Sequence, residues 1–248
     1  MVCPEFPLLF IGLLLASNAS GVDIKPTVTK AEDFVPEGWK LHSITYGDLN
    51  QDGGKDAVLV IQETDEKKII PNNKNRWNGW KDELNTNPRT LLIAFKNGNT
   101  YKLALKNEEI LPSQDDADSQ YLNDDPLNEN RGGGIEITAK NTLVIRFQGF
   151  NPESIYRDSY TFRYQNNRFE LIGLDIHSQL RENTAKISIN YSTGKKLTIT
   201  ENLADNSTKP VKKWSHIKTK PLANLQTLNY FAISRESFLV LQEIQNWQ

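Results

Sequence analysis

Cysteine, methionine and histidine are scarce in this 248-residue chain, which contains one cysteine, one methionine and three histidines. The single cysteine, Cys3, lies in an apolar N-terminal segment, so the rest of the chain has no thiol for a disulfide or a thiolate metal site. An excess of basic charge is also missing, because 29 Lys and Arg residues are balanced by 31 Asp and Glu residues. Nonspecific binding to nucleic acid is therefore not expected.

A hydrophobic run long enough to span a membrane is not found either. The apolar run Leu8–Ala16 holds nine residues, whereas a membrane span needs about 20. Ser17 and Ala19 follow it and fit the small −3 and −1 positions of a signal-peptide cleavage site. We expect residues 1–19 to be a signal peptide and residues 20–248 to form one β-rich domain that is periplasmic or secreted. The alternative is that the apolar run forms a buried N-terminal strand or helix.

Alternation of apolar and polar residues dominates after residue 38 and predicts a mainly β protein. We expect antiparallel sheets, in a sandwich-like or partial-propeller-like arrangement, with hairpins and one or two short helices. The continuous apolar run Ala57–Ile61 predicts a central strand. Leu222–Asn229, after Pro221, is a candidate short helix, whereas the apolar stretch Phe238–Trp247 is ambiguous.

Two hairpins are predicted from their turn residues. Thr90–Phe95 and Tyr101–Leu105 flank residues 96–99, which contain an Asn-Gly pair. The second has a two-residue turn at Asn166-Asn167, since asparagine tolerates the positive φ of a type I′ turn. This register pairs Tyr164 with Phe169, Phe162 with Leu171, and Arg163 with Glu170.

A third hairpin is predicted with a three-residue loop, Ser192-Thr193-Gly194, in which Gly194 takes the left-handed conformation. This loop pairs Ile189 with Leu197 and Ile187 with Ile199, so that apolar side chains face each other. A two- or four-residue loop would instead place Ile189 opposite a polar neighbour. Long polar segments, residues 64–88 and 107–133, separate other strands, and loops of this length tend to be functional or disordered.

Residues 48–56 carry the only motif with a specific chemistry. Asp48, Asn50, Asp52 and Asp56 occupy positions 1, 3, 5 and 9 of this segment, and Gly53 occupies position 6, where the chain must turn sharply. Gly54, at position 7, would offer its backbone carbonyl. Three carboxylates and one amide suit Ca²⁺ better than Mg²⁺ or a transition metal. The competing interpretation is a metal-free turn rich in Asp, Asn and Gly.

An EF-hand is excluded, because position 12 is Leu59 instead of glutamate and a strand follows instead of a helix. Residues 47–60 resemble the calcium loop of FG-GAP repeats, the integrin-alpha-type propeller unit. The resemblance covers about residues 39–62 and implies Ca²⁺ ligation by the side chains of Asp48, Asn50, Asp52 and Asp56 and by the Gly54 carbonyl. A full propeller is not expected, since a propeller needs several blades and one loop is found.

More broadly, the chain is similar to uncharacterised secreted bacterial proteins that carry a single loop of this kind. The shared segments are Val35–Trp39, the calcium loop, residues 160–173 and residues 193–196. This resemblance implies a location and a fold, and it implies no activity.

Several other residues are candidate sites. Asp175 and His177 share a strand face and could form a carboxylate–imidazole pair of a hydrolase, although a solvated polar pair is the simpler interpretation. Trp77 and Trp80 are candidates for binding a protein or glycan partner, or for anchoring their loop. Further candidate partner contacts are the acidic residues Asp115, Asp116 and Asp118.

These patterns lead to three expected functions. The first is a non-enzymatic binding or accessory protein of the cell envelope that binds Ca²⁺. The second is a periplasmic immunity or inhibitor protein, whose acidic segment 107–133 would enter the basic active site of a secreted toxin. The third is a hydrolase built on Asp175 and His177. Nucleophile-elbow, His-Glu-x-x-His and phosphate-binding glycine motifs do not occur in the sequence, so no catalytic residue is assigned.

Overall fold

The computed structural model describes residues 21–72, 81–117, 125–151, 154–204 and 209–245, and within them it confirms a mainly β fold with antiparallel sheets. The strands are β1 (Thr27–Val28), β2 (Trp39–Gly47), β3 (Asp56–Glu63), β4 (Ile69–Pro71), β5 (Glu83–Asn85), β6 (Arg89–Asn97), β7 (Thr100–Asn107), β8 (Gly134–Ile137), β9 (Thr142–Asn151), β10 (Ser154–Gln165), β11 (Arg168–Leu180), β12 (Asn183–Asn190), β13 (Lys195–Asn202) and β14 (Val211–His216). One α-helix, α1, spans Tyr230–Gln245, and short 3-10 turns lie at Ala31–Phe34, Glu66–Lys68, Glu129–Arg131 and Leu225–Thr227.

The strands form two main sheets that pack on each other. The first has five strands in the order β1-β7-β6-β3-β2, and the second has seven in the order β14-β13-β12-β11-β10-β9-β8. β4 and β5 form a separate two-stranded ribbon within the predicted polar segment 64–88. Apolar residues of both main sheets share one core, for example Val60 and Ile93 from the first with Phe162 and Leu174 from the second. This is the sandwich form of the two arrangements expected.

Strand β3 lies between β2 and β6, so the central strand predicted from Ala57–Ile61 is confirmed. Val58 and Val60 face the core between the sheets, whereas Leu59 and Ile61 face a second apolar cluster on the opposite side of the sheet. Phe34 and its neighbours in the N-terminal segment complete that second cluster. Burial on both faces explains why the strand is apolar without alternation.

Helix α1 packs on the seven-stranded sheet through Ile233, which belongs to the main core. It includes residues 238–245 of the stretch Phe238–Trp247, whose structure was ambiguous from the sequence, and it begins directly after the predicted helix Leu222–Asn229. Within that predicted helix only Leu225–Thr227 is helical, as a 3-10 turn. No helix in the described part of the chain is both long and apolar enough to cross a membrane.

The first two predicted hairpins are confirmed. In the Asn166-Asn167 hairpin, Phe162 pairs with Leu171, Arg163 with Glu170 and Tyr164 with Phe169. Both asparagines have positive φ, 54° and 58°, as a type I′ turn requires. The β6–β7 hairpin closes through Gly98 and Asn99, because residues 97 and 100 are already paired.

The register predicted for the third hairpin is wrong by one residue. Its loop has four residues, 191–194, so that Ile189 pairs with Lys196 and Ile187 with Thr198. Lys196 is 7% exposed and lies on the core side of β13, where its long aliphatic chain can be buried. The strand therefore turns Leu197 and Ile199 to its outer face. The left-handed conformation predicted for Gly194 is confirmed, with φ of 68°.

Candidate functional site

The segment 48–56 connects β2, which ends at Gly47, to β3, which begins at Asp56. It is thus a loop that leads directly into the central strand, as predicted. Gly53 has φ of 85°, a conformation that favours glycine and turns the chain at position 6. Glycine is also favoured at position 54, because a Cβ there would lie 2.8 Å from Oδ1 of Asp52.

Asp48, Asn50 and Asp52 organise the loop through hydrogen bonds to its own backbone. The carboxylate of Asp48 accepts from the amides of Asp52 and Gly53 at 3.0 and 3.1 Å. Asp52 accepts from the Gly54 amide at 2.7 Å and from Nδ2 of Asn50 at 2.8 Å. These contacts bring three oxygen-bearing side chains to one side of a tight turn.

Asp56 holds the loop from the other side and is completely buried. Its Oδ2 accepts from the amides of Leu49 and Asn50 at 2.8 and 3.3 Å, and its Oδ1 accepts from the amide of Lys96 at 2.9 Å. Burial raises the pKa of Asp56, and these amide hydrogen bonds act in the opposite direction. Within the described residues Asp56 takes part in no ion pair, so its charge has neutral partners only.

The loop fits a hard cation in its chemistry and only partly in its geometry. Asp48, Asp52 and Asp56 bear carboxylates within nine residues, and each oxygen has lone pairs beyond those used by the amides. However, no group of three acidic, histidine or cysteine side chains is close enough to hold a metal in the described part of the chain.

A second candidate site lies at one end of the sandwich, where polar side chains are buried between the sheets. Arg89 is completely buried and binds Asp125 through two hydrogen bonds of 2.7 and 2.6 Å. Gln62 pairs with Arg89 across β3 and β6 and is also completely buried. Both side-chain polar atoms of Gln62, and Nε of Arg89, have no hydrogen-bond partner in the described structure.

This polar cluster adjoins a cleft of about 660 Å³, whose lining includes His42, Lys81, Asp125 and Glu129. His42 is the extra residue of a β-bulge in β2, since the pairing with β3 shifts between Leu41 and Ser43. Burial lowers the pKa of His42, and the positive charge of Arg89 lowers it further. The cleft therefore combines a neutral imidazole with a buried ion pair.

Sequence reasoning missed this cluster, although a signal for it existed. Gln62 lies on the same face of its strand as Val58 and Val60, which face the core. Arg89 likewise lies on the same face of its strand as Leu91, which also faces the core. Polar residues at core-facing positions predict a buried polar site, because burial without partners is unfavourable.

Asp175 and His177 lie on one face of β11, as predicted, but they are not assembled as a catalytic pair. The hydroxyl of Ser188 donates directly to Oδ1 of Asp175. A Ser-His-Asp arrangement instead needs the imidazole between the hydroxyl and the carboxylate. The geometry therefore gives the hydrolase hypothesis no support.

The acidic candidates for partner binding fall into two groups. The Asp115 carboxylate is almost fully buried, accepts from Nζ of Lys81 at 2.6 Å and from the amide of Asn85 at 2.8 Å, and so stabilises the fold. Asp116 is exposed and has an interaction partner of its own. Trp77, Trp80 and Asp118 lie outside the described residues, as do residues 1–19.

Comparison of the chain with protein-family models, with curated proteins and with solved structures finds no match in any of the three.

Proposed function

We propose that the protein is a secreted or periplasmic β protein that binds Ca²⁺ in the loop 48–56 and serves the cell envelope as a non-enzymatic binding or accessory protein. The observation that supports the calcium part is the completely buried carboxylate of Asp56, which has only neutral amide partners in the described structure. A buried charge without a counter-charge is unfavourable, and a divalent cation beside it would remove that penalty.

The proposed role of the ion is structural. Asp56 is the first residue of the central strand, and its carboxylate ties the loop to the start of β3 and to Lys96 on β6. An ion held there would link the loop more firmly to two neighbouring strands. At a hundredfold excess of ion over Kd the stabilisation is about 2.7 kcal/mol. Extracellular calcium modules bind at roughly 10⁻⁴–10⁻³ M, and with such a Kd millimolar calcium would stabilise the protein by about 0.4–1.4 kcal/mol.

Thermal unfolding of the full chain in calcium, in magnesium and in chelator tests this proposal. We expect millimolar Ca²⁺ to raise the melting temperature relative to chelator, and Mg²⁺ to raise it less, because Mg²⁺ retains its waters and binds few carboxylates. Superimposable curves in calcium and chelator would contradict calcium binding.

The envelope-binding part of the proposal is supported by the scaffold, which presents a cleft of about 660 Å³ on the sandwich. A pull-down from envelope extract tests it. We expect substitution of Trp77 and Trp80 by alanine to release the captured partner, while Trp39→Ala, at a tryptophan in strand β2, retains it. Equal capture by both variants would exclude the Trp77–Trp80 segment as the contact.

A further inference from the structure

A concave groove lies on the outer face of the seven-stranded sheet, away from the loop 48–56. It has a volume of about 380 Å³, and its floor is formed by β10, β11, β12 and β13. The segment around Gly132 forms one wall, since a Cβ at that position would lie 3.1 Å from Nε of Arg157. The groove is thus built on rigid strands with a raised edge.

The strand register brings basic side chains together in this groove. Arg157 on β10 pairs with His177 on β11, and His177 pairs with Lys186 on β12. Neighbouring strands are about 4.8 Å apart, so the imidazole lies between the two cations. Nε of Arg157 donates to the carbonyl of Arg131 at 3.0 Å, which fixes the guanidinium at the wall. Neither Arg157 nor Lys186 forms an ion pair with another residue that the structure describes.

Two other charged side chains line the groove. Arg146 on β9 forms an ion pair with Glu136 on β8, whereas the carboxylate of Asp175 accepts a hydrogen bond from the hydroxyl of Ser188, which is a neutral partner. Arg157 and Lys186 lie on either side of His177, two strand spacings apart, so one anion bound over the imidazole can contact both cations. Burial lowers the pKa of His177, and Lys186 and Arg157 lower it further, in agreement with a positive potential at this point.

An apolar surface adjoins the basic row. Leu197 and Ile199 line the groove, because the observed register of β13 turns them to the outer face. Trp214 on the edge strand β14 pairs with Leu197 and is 67% exposed. The groove therefore has a basic half and an apolar half side by side.

From this juxtaposition we propose that the groove binds an amphipathic anion: an oxyanion group contacts Arg157, His177 and Lys186, and an attached apolar body covers Leu197 and Ile199. Guanidinium and ammonium groups form strong charge-assisted hydrogen bonds with phosphate-type oxygens. A neutral imidazole adds one donor, and the aliphatic side chains supply area that a bare inorganic anion cannot use. The proposal is independent of calcium binding, since the loop 48–56 belongs to the other sheet.

Hexyl phosphate, titrated into the full chain and followed by NMR of the three histidine rings, tests the site. We expect saturable shifts of the His177 ring and a raised pKa for that imidazole, because a bound oxyanion stabilises its protonated form. His42 and His216 serve as internal controls and should not respond. Inorganic phosphate should bind more weakly than hexyl phosphate, and hexyltrimethylammonium, which has the same tail with a positive head, should not bind.

Three variants test separately how the basic half and the apolar half of the groove contribute to binding. Lys186→Gln and Arg157→Gln alter exposed side chains and should each weaken hexyl phosphate binding about tenfold, whereas Lys102→Gln, an exposed lysine on β7, should leave it unchanged. Leu197→Ser should remove most of the preference for hexyl phosphate over inorganic phosphate.

Binding to phosphatidylglycerol vesicles tests whether the anion is a lipid headgroup or a soluble amphipathic molecule. Vesicle binding that is lost in Lys186→Gln and Arg157→Gln identifies a lipid headgroup as the oxyanion. Retained hexyl phosphate binding without vesicle binding identifies a soluble amphipathic anion. The proposal is overturned if hexyl phosphate does not saturate at millimolar concentration, or if its binding is equal in wild type and in both charge variants.

Discussion

Ser237 on helix α1 donates a 2.6 Å hydrogen bond to Oδ2 of Asp158, a carboxylate buried on the core side of β10. The other oxygen, Oδ1, has no hydrogen-bond partner in the described structure. On the same face, the Tyr160 hydroxyl donates to the carbonyl of Ile233 at 2.9 Å. Two side chains of one strand therefore fasten the helix to the sheet, and one of them is a buried acid.

The buried acid predicts a pH dependence of stability. Burial raises the pKa of Asp158 from its ordinary value of 3.8 to about 6. The folded protein therefore holds a proton that the unfolded chain releases, and this contribution to stability is lost as the pH rises from about 4 to 6. We expect Asp158→Asn, which keeps the acceptor for Ser237, to match wild type near pH 4. At pH 7 it should be more stable by about 1–3 kcal/mol.

Urea unfolding of both proteins at several pH values measures this difference. Ser237→Ala provides the control, because it removes the one hydrogen bond that favours the charged form and should destabilise more at pH 7 than at pH 4. A stability difference between Asp158→Asn and wild type that does not change with pH would show that folding does not raise the pKa of Asp158.

The ion pair of Arg89 and Asp125 predicts the opposite dependence. The hydrogen bonds and charge of Arg89 outweigh burial and hold the pKa of Asp125 below its ordinary value. This stability is present at neutral pH and is lost as the pH falls through the folded-state pKa. We expect Arg89→Met to destabilise by about 3–5 kcal/mol at pH 7, because it leaves a largely buried carboxylate unpaired, and by less in acid.

Arg146→Met is the matched control for that experiment. The Arg146–Glu136 pair is far more exposed than the Arg89–Asp125 pair, so its loss should change the free energy of unfolding by less than about 1 kcal/mol. Equal effects of the two substitutions would contradict the assignment of the Arg89 pair as a buried ion pair.

Local chemistry explains why much of the β structure could be predicted from the sequence. The Asn166-Asn167 turn and its flanking pairs depend on residues adjacent in sequence, and both the turn type and the register agree with the prediction. The conformation of the loop 48–56 also depends on residues that are adjacent in sequence. The predicted position of the turn at Gly53 is therefore correct, while ion binding there remains a prediction.

Features that depend on distant contacts could not be predicted in this way. The observed register of Ile189 places the buried Lys196 opposite it, which pairwise matching of apolar residues does not anticipate. Arg89 and Asp125 lie 36 residues apart and meet only in the folded chain, because Asp125 lies in the segment between β7 and β8. A sequence without aligned relatives does not show which distant partner a core-facing arginine will find.

Alanine substitutions at Gly194 and at Gly38 together separate the effect of a steric contact from the effect of backbone strain. Gly194 has φ of 68°, and a Cβ there would lie 2.9 Å from the carbonyl oxygen of Ile217. Gly38 has a similar φ of 77°, but a Cβ there would have no neighbour within 4 Å. Gly38→Ala should therefore lower the free energy of unfolding by about 1–2 kcal/mol, the strain of a left-handed residue alone. Gly194→Ala should lower it further, as measured by urea unfolding, and equal values would show that the segment at Ile217, which follows β14, can move away.

The calcium loop predicts different outcomes for two of its aspartates. Asp52 is exposed and accepts one amide of the turn, so Asp52→Ala should abolish the calcium-dependent rise in melting temperature while lowering stability in chelator by only about 1 kcal/mol. Asp56→Asn replaces one acceptor oxygen with a donor that cannot pair with the amides of Leu49 or Lys96. It should therefore destabilise by about 1–3 kcal/mol with and without calcium. Melting curves of both variants in calcium and in chelator decide the matter: a calcium response that persists in Asp52→Ala would place the ion outside this loop.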